Sequence, residues 1–197
     1  MNKKLSNNII NHQTGFTLVE IMVSLSLFVI LILMVNTMYT LSQTAYSKNS
    51  HIAELTQNAR VALDRLSREL RQSEIIVTAL PPVDTDPANP PVNQIFFQDG
   101  HNPDITTYIL YQISGTNLQR VHKAYYFADE PSAYVTYNSL DQNNNSPLEL
   151  ILSDLTVGEY FTDLKFWGAA GLINISLKLD KNTNSFELNT SVYSRNH

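Results

Sequence analysis

The carboxylate of Glu20 is the first candidate functional group, because it lies inside the apolar run from Gly15 to Val35. A charged side chain within the hydrocarbon of a membrane costs about 2.5–3.5 kcal/mol, so such a group normally has a partner. No Lys or Arg occurs between Phe16 and Tyr46. We therefore expect the partner of Glu20 to be a cation from another chain. The alternative is a shallow carboxylate that reaches the membrane interface.

A second candidate group consists of oxygen ligands at the spacing of a calcium loop. Asp141, Asn143 and Asn145 match the first three ligand positions of such a loop. Its sixth position requires Gly but is Ser146, and its twelfth is Leu152 rather than Glu. A shorter series that also fits a turn contains Asp180, Asn182, Asn184 and Glu187. We expect no metal and no cofactor, with calcium in one of these loops as the alternative.

Catalytic signatures are absent from the sequence. It contains no G-x-S-x-G, no phosphate-binding loop, no dinucleotide fingerprint and no H-E-x-x-H. The chain has no Cys, which excludes disulfides, thiolate zinc sites and thiol nucleophiles. The histidines at 12, 51, 101, 122 and 197 are scattered and are expected to be exposed. We predict that the chain is not an enzyme.

The charge balance makes nucleic acid an unexpected partner. The formal net charge is -5, and charged residues are sparse. Binding to phosphate backbones requires clustered Lys and Arg. The basic positions of residues 57–72 are interleaved with Asp64 and Glu69, and Glu74 follows. This alternation predicts a solvated helix face.

The elements that position Glu20 are a short polar leader and a long apolar helix. Lys3 and Lys4 precede the apolar run and, by the positive-inside bias, place the N-terminus on the cytoplasmic side. No small-residue cleavage site follows Val35, so a secretory signal peptide is not indicated. Hydropathy alone leaves an uncleaved signal anchor as the alternative.

The residues Gly15-Phe16-Thr17-Leu18-Val19-Glu20 resemble the processing site of type IV pilins and type II secretion pseudopilins. The resemblance implies that a prepilin peptidase cuts between Gly15 and Phe16 and methylates the new amine of Phe16. It also implies that Glu20 pairs with the N-terminal amine of an adjacent subunit during assembly. The run from Gln57 to Gln72 is similar to the helix of W-type minor pilins and J-type minor pseudopilins, which favours a minor subunit.

The helix is predicted to continue past the membrane, because no Gly or Pro occurs from Phe16 to Leu80. We place its end near Ile76. Asp64 and Arg68 form an i, i+4 pair on this part of the helix. Apolar residues at three- and four-residue steps predict a stripe that packs on a downstream domain; they are Leu41, Ala45, Ile52, Leu55, Ala59, Ala62, Leu66 and Leu70.

A β-rich domain is predicted after a proline-rich linker, because hydrophobic residues alternate with a period of two from Gln94 onward. The predicted strands cover residues 94–98, 105–113, 118–122, 125–128, 133–137, 148–152, 162–167, 173–179 and 186–192. The strand at 105–113 is expected to bury one face. Tyr125, Tyr126 and Phe127 are interpreted as a core strand, with stacking of sugars or bases as the alternative. The ending Val192 to Asn196 resembles that of many minor pilins.

The predicted fold is α+β, a pilin fold with a long N-terminal transmembrane and amphipathic helix on an antiparallel sheet. The predicted divisions are a leader (1–15), a transmembrane half-helix (16–40), an amphipathic half-helix (41–78), a linker (79–93) and a periplasmic domain (94–197). The resemblance implies a single-pass inner-membrane protein that primes or caps a type IV pilus or type II secretion pseudopilus. Its expected partners are other subunits, prepilin peptidase, the inner-membrane assembly platform and membrane lipid. The alternative is a membrane-tethered periplasmic binding or sensor protein that keeps its anchor.

Overall fold

A computed structural model describes residues 15–102 and 104–194. Most of the predicted leader, including Lys3 and Lys4, lies outside the described residues, as do Arg195 and Asn196 of the C-terminal motif. The chain divides into two units, Met1–Ser47 and Lys48–His197. One long helix, α1 (Leu18–Gln72), contributes residues to both units.

In the first unit, the described residues are the N-terminal part of α1 and the short segment before it. All side chains from residue 18 to residue 50 are exposed. Within the described part of the chain, α1 is the one helix long and apolar enough to cross a membrane. An apolar surface of this length is stable only in lipid or against other protein. The helix therefore supports single-pass membrane anchoring.

The second unit contains the amphipathic part of α1 and two antiparallel sheets. The first sheet has five strands: β1 (Gln94–Gln98), β2 (Thr107–Ser114), β3 (Asn117–Phe127), β4 (Glu130–Tyr134) and β5 (Leu148–Gly158). The second sheet has three strands: β6 (Phe161–Ala169), β7 (Leu172–Lys181) and β8 (Asn184–Tyr193). The order of the second sheet is β6-β7-β8, as expected for consecutive hairpins. Together with α1, these sheets confirm the predicted α+β class.

The core of the second unit lies between α1 and the inner faces of both sheets. The buried helical residues are Leu55, Ala59, Ala62, Leu66 and Leu70, each with no exposed surface. They form one cluster with sheet residues such as Phe97, Phe166 and Ile175. The predicted stripe is thus confirmed over its second half. Leu41 is 70% exposed and Ile52 is 37% exposed, so the stripe is not covered at its start.

The helix ends at Gln72, earlier than the predicted end near Ile76. The reason is tertiary: the backbone after Gln72 bonds to β1 instead of continuing the helix. The N–H of Val77 donates to the Phe96 carbonyl at 2.9 Å, and the N–H of Gln98 donates to the Ile75 carbonyl at 2.8 Å. Each strand-type bond replaces a helical bond that the local sequence alone would have favoured.

The predicted proline-rich linker is attached to the second sheet at both ends. The N–H of Gly168 donates to the Pro81 carbonyl at 2.8 Å. Val92 and Phe166 exchange two backbone hydrogen bonds, of 3.1 and 2.8 Å. The residues from 82 to 90 are exposed. The linker is therefore a fixed arch beside β6.

Strand β2 buries both of its faces, whereas the sequence predicted one buried face. Ile109 and Tyr111 face the core with α1, as predicted. Tyr108 is also buried, and its ring lies 5.2 Å from Phe96 and 5.5 Å from Tyr125. Ile105 lies before the strand and is 44% exposed. On this second face, burial of Tyr108 is explained by its packing in an aromatic cluster.

Candidate functional site

The N-terminus of α1 is closed by a capping box between Thr17 and Glu20. The Thr17 N–H donates to Glu20 Oε2 at 2.9 Å, and the Thr17 hydroxyl donates to the same oxygen at 2.9 Å. The Glu20 N–H in turn donates to Thr17 Oγ1 at 3.3 Å. This reciprocal pattern satisfies backbone donors that a helix start leaves unpaired. It fixes the position of the Glu20 side chain.

The capping box changes our interpretation of Glu20. We predicted that its partner would come from another chain, because the segment contains no cation. Thr17 of the same chain already donates two hydrogen bonds to Oε2. Oε1 accepts no hydrogen bond within the described residues. The sequence pattern T-x-x-E before an apolar run is the signal that could have predicted this cap.

The predicted cleavage bond lies in an open, non-helical segment before α1. Gly15, Phe16 and Thr17 precede the helix, and Phe16 is 84% exposed. A Cβ placed on Gly15 would meet no atom within 4 Å. The fold of the described residues therefore places no steric requirement for glycine at this position. A requirement for Gly15 would have to come from another molecule.

Glu69 is buried, although we predicted a solvated helix face around it. Its exposure is 8%, and that of Arg120 on β3 is also 8%. The Arg120 Nε–H donates to both Glu69 carboxylate oxygens at 2.9 Å, and the Tyr111 hydroxyl donates to Oε2 at 2.8 Å. Burial and the Glu69 charge raise the pKa of Tyr111, so its hydroxyl remains a donor. These contacts tie α1 to the first sheet.

His122 is not exposed as predicted but lies half-buried beside Asp99. Its Nε2 is buried without a hydrogen bond among the described residues and lies 3.8 Å from Asp99 Oδ2. His101 Nδ1 contacts Asp99 Oδ1 at 2.6 Å. Burial and the charge of Arg120 lower the pKa of His122. Among the described residues, no three His, Cys, Asp or Glu side chains are placed to hold a metal ion.

The residues of the first calcium alternative form a turn among themselves. Asp141 Oδ1 accepts hydrogen bonds from the N–H groups of Asn143 and Asn145, each at 2.7 Å. The Asn145 side-chain amide donates to Asp141 Oδ2 at 2.8 Å. In the second series, Asn182 and Thr183 form the hairpin turn between β7, which ends at Lys181, and β8, which begins at Asn184. Turn formation explains both spacings, and the absence of a metal and of any cofactor stays a prediction.

The aromatic residues at the end of β3 are half-buried and do not form the core strand that we predicted. Tyr125 belongs to an aromatic cluster with Phe96, Tyr108 and Tyr137, with ring centroids 5.2–6.5 Å apart. Burial and the nearby Glu149 raise the pKa of Tyr125 to about 12. The cluster fills its own volume with edge and stacked contacts. Because Phe96 alternates with Ile95 and Phe97, which belong to the core cluster with α1, the aromatic cluster lies on the opposite face of the sheet.

Residues 10–36 match the family model of the prokaryotic N-terminal methylation motif. The matched range contains Gly15, Phe16 and Glu20, and it marks a leader of the kind found in type IV pilins and pseudopilins. No curated protein and no solved structure gives a significant match to the chain. The N-terminal region thus carries a leader of the type IV pilin-like or pseudopilin-like kind.

Proposed function

We propose that the chain is a minor subunit of a type IV pilus or type II secretion pseudopilus. The observation that carries this proposal is the methylation motif at residues 10–36, which spans the start of an uncovered apolar helix. A prepilin peptidase removes residues 1–15 and methylates the amine of Phe16. The minor role rests on the similarity of residues 57–72 to the helices of minor subunits.

The proposed location follows from the two units. The apolar part of α1 lies in the inner membrane, and the β-rich unit lies in the periplasm. The inner-membrane assembly platform moves the subunit into the filament, where other subunits replace lipid around α1. This exchange is favourable only if the neighbours cover the side chains that are exposed from residue 18 to residue 50.

Glu20 sets the axial register of the subunit by pairing with the Phe16 amine of a neighbour. The Thr17 bonds hold one carboxylate oxygen and leave Oε1 to accept from that amine. A carboxylate fixed by a cap loses little side-chain entropy when it binds a cation. In an apolar surrounding, an unpaired Glu20 is costly, so correct register is favoured over a shifted one.

Processing is tested by substituting Gly15. The Gly15→Val variant is expected to retain its leader, because the proposed peptidase cuts after a glycine. The fold itself places no such requirement on this position. Intact-mass measurement of the membrane-inserted protein reports the N-terminus, and Asn8→Ala is the leader control. A mature chain of normal mass in the Gly15 variant would refute the assignment. An intact Met1 in the wild-type chain would favour the membrane-tethered binding or sensor protein.

The role of Glu20 is tested by separating its charge from its cap. Glu20→Gln removes the charge but keeps an oxygen for Thr17, whereas Thr17→Val removes the capping hydroxyl and keeps the charge. Both variants should be inserted and cleaved. Incorporation into filaments, measured by immunoblotting of sheared fractions, should fall at least about tenfold for Glu20→Gln, which corresponds to about 1.4 kcal/mol. Thr17→Val should lose much less than Glu20→Gln, because the charge remains and the backbone N–H of residue 17 can still donate to Glu20 Oε2. A normal level for Glu20→Gln would remove the charge pairing.

A further inference from the structure

A polar groove lies on the outer face of the three-stranded sheet, beneath the proline-rich arch. Its volume is about 450 Å³. The sheet residues that line it include Lys165, Trp167, Asn174, Ser176, Glu187 and Asn189. Asp84 and Pro91 of the arch form another part of its wall. The arch is attached to β6 by the Pro81 and Val92 backbone bonds, so the wall is fixed relative to the sheet.

The strand register arranges the groove residues in two rows across the sheet. Trp167 lies opposite Asn174, and Asn174 lies opposite Ser191. In the next row, Lys165 lies opposite Ser176, and Ser176 lies opposite Asn189. Directly paired residues share one face of an antiparallel sheet. The half-buried indole ring of Trp167 therefore borders amide and hydroxyl groups on the same face of the sheet.

Internal hydrogen bonds orient these polar groups and leave specific atoms without protein partners. The Ser191 hydroxyl donates to Asn174 Oδ1 at 2.6 Å. The Asn189 amide and the Ser176 hydroxyl donate to Glu187 Oε1 at 3.3 and 3.5 Å. Within the described part of the chain, the amide donors of Asn174 and the second oxygen of Glu187 make no hydrogen bond. The groove thus presents oriented donors and a carboxylate acceptor next to an aromatic ring.

The charge of the groove selects against anions. Asp84 and Glu187 contribute two carboxylates, and the single lysine, Lys165, is already paired with Asp163 Oδ2 at 2.7 Å. The Asp163 carboxylate raises the pKa of Lys165, so the ammonium stays charged and paired. A phosphate, a sialic acid or a uronic acid would meet net negative charge here. The few apolar groups, chiefly Trp167 and Pro91, could not hold a wholly apolar ligand.

We propose that this groove is a binding site for a neutral oligosaccharide. The C–H face of a pyranose ring stacks on Trp167, and its hydroxyls donate to Glu187 and accept from the Asn174 amide. A groove that is open along the sheet admits a short oligosaccharide rather than a single enclosed sugar. This inference is independent of the proposed processing and assembly role.

The experiment is a fluorescence titration, since Trp167 is the single tryptophan of the chain. The full chain is kept in a zwitterionic detergent without sugar groups. The neutral probes are the N-acetylglucosamine trimer, maltotriose, cellotriose and mannotriose, and the anionic probes are sialyllactose and trigalacturonic acid. At least one neutral probe should give a saturable change, and neither anionic probe should. No saturable change with any neutral probe up to roughly 10 mM, which would mean a binding free energy weaker than about 2.7 kcal/mol, would overturn the proposal. Equal binding of the anionic probes would also overturn it.

Variants then locate the site by calorimetry with the best neutral probe. Trp167→Ala and Asn174→Ala should each weaken binding at least about tenfold, or about 1.4 kcal/mol. Tyr193→Ala is the matched control, because Tyr193 is an aromatic residue on β8 that is 70% exposed and lies outside the groove. Far-UV circular dichroism checks that each variant is folded. If the Trp167→Ala variant does not fold, Asn174→Ala still tests the site. An unchanged affinity in Asn174→Ala, or an equal loss in Tyr193→Ala, would refute the site.

Discussion

The buried ion pair between Glu69 and Arg120 offers a sharp test of how α1 is attached to the first sheet. A second pair, Asp64 with Arg68, lies on the same helix and has the same nitrogen–oxygen distance of 2.9 Å. The two pairs differ in burial: the side chains are 9% and 10% exposed in the first pair, and 78% and 64% exposed in the second. Distance is thus held constant while solvation changes.

Glu69→Gln should destabilise the second unit far more than Asp64→Asn. The first substitution leaves the Arg120 charge buried without compensation, which costs about 3–5 kcal/mol. The second removes an exposed i, i+4 pair, which contributes about 0.3–0.5 kcal/mol. For a unit of this size, the larger loss corresponds to a decrease in Tm of roughly 6–20 °C.

The measurement is urea unfolding of the full chain in detergent, followed by the fluorescence of Trp167 in the second unit. Midpoints and slopes are compared, so that a change in stability is separated from a change in the unfolded state. The triple variant Glu69→Leu, Arg120→Met and Tyr111→Phe removes the buried polar groups. Arg65, which also donates to Glu69 Oε1 at 3.3 Å, is 37% exposed and can be hydrated when Glu69 is lost. The triple variant should recover most of the lost stability, because buried ion pairs can be replaced by apolar groups at little net cost.

Two outcomes would refute this reasoning. If Glu69→Gln and Asp64→Asn lowered the free energy of unfolding equally, burial would not control the strength of these pairs. If the triple variant were as unstable as Glu69→Gln, the loss would come from packing rather than from an unpaired Arg120. Either result would require another account of how α1 is held.

Two further predictions concern the second unit. The lowered pKa of His122 means that the unfolded state binds more protons just below pH 6.5, so the free energy of unfolding should decrease as the pH falls through this range. His122→Gln should flatten this slope in urea midpoints measured from pH 5 to pH 8, and an unchanged slope would contradict the assignment. A Cβ on Gly168 would overlap the Leu172 carbonyl, so Gly168→Ala should cost about 1–3 kcal/mol. Ala170→Gly in the adjacent turn should instead raise the midpoint, because a left-handed conformation costs an L-residue about 1–2 kcal/mol.

Local patterns predicted much of the fold. The alternation from Ile173 to Leu179 and from Phe186 to Val192 predicted β7 and β8, which pair in the expected antiparallel hairpin. The apolar steps from Leu55 to Leu70 predicted the buried stripe of α1. Both patterns depend on which residues repeat along a short stretch, and backbone geometry converts that repeat directly into a face.

The Glu20 segment carries both the processing motif and an ordinary helix cap. The spacing between Thr17 and Glu20 identifies a helix cap by the same rules that predict any helix start. We assigned Glu20 to an intermolecular pair because its charge was considered without its neighbour in the capping box. The two functions are compatible, since the cap uses Oε2 and leaves Oε1 for a second partner.

The sequence by itself determined the anchor, the leader motif, the amphipathic stripe and most of the strands, because each depends on residues that are close together in the chain. Only the tertiary structure decided that α1 stops at Gln72, that Glu69 is buried and that a polar groove forms under the linker. In each case the deciding partner is distant in sequence: β1 for the helix end, Arg120 for Glu69, and β6 for the arch. A local pattern shows which face can be covered, but what covers it depends on how distant segments pack.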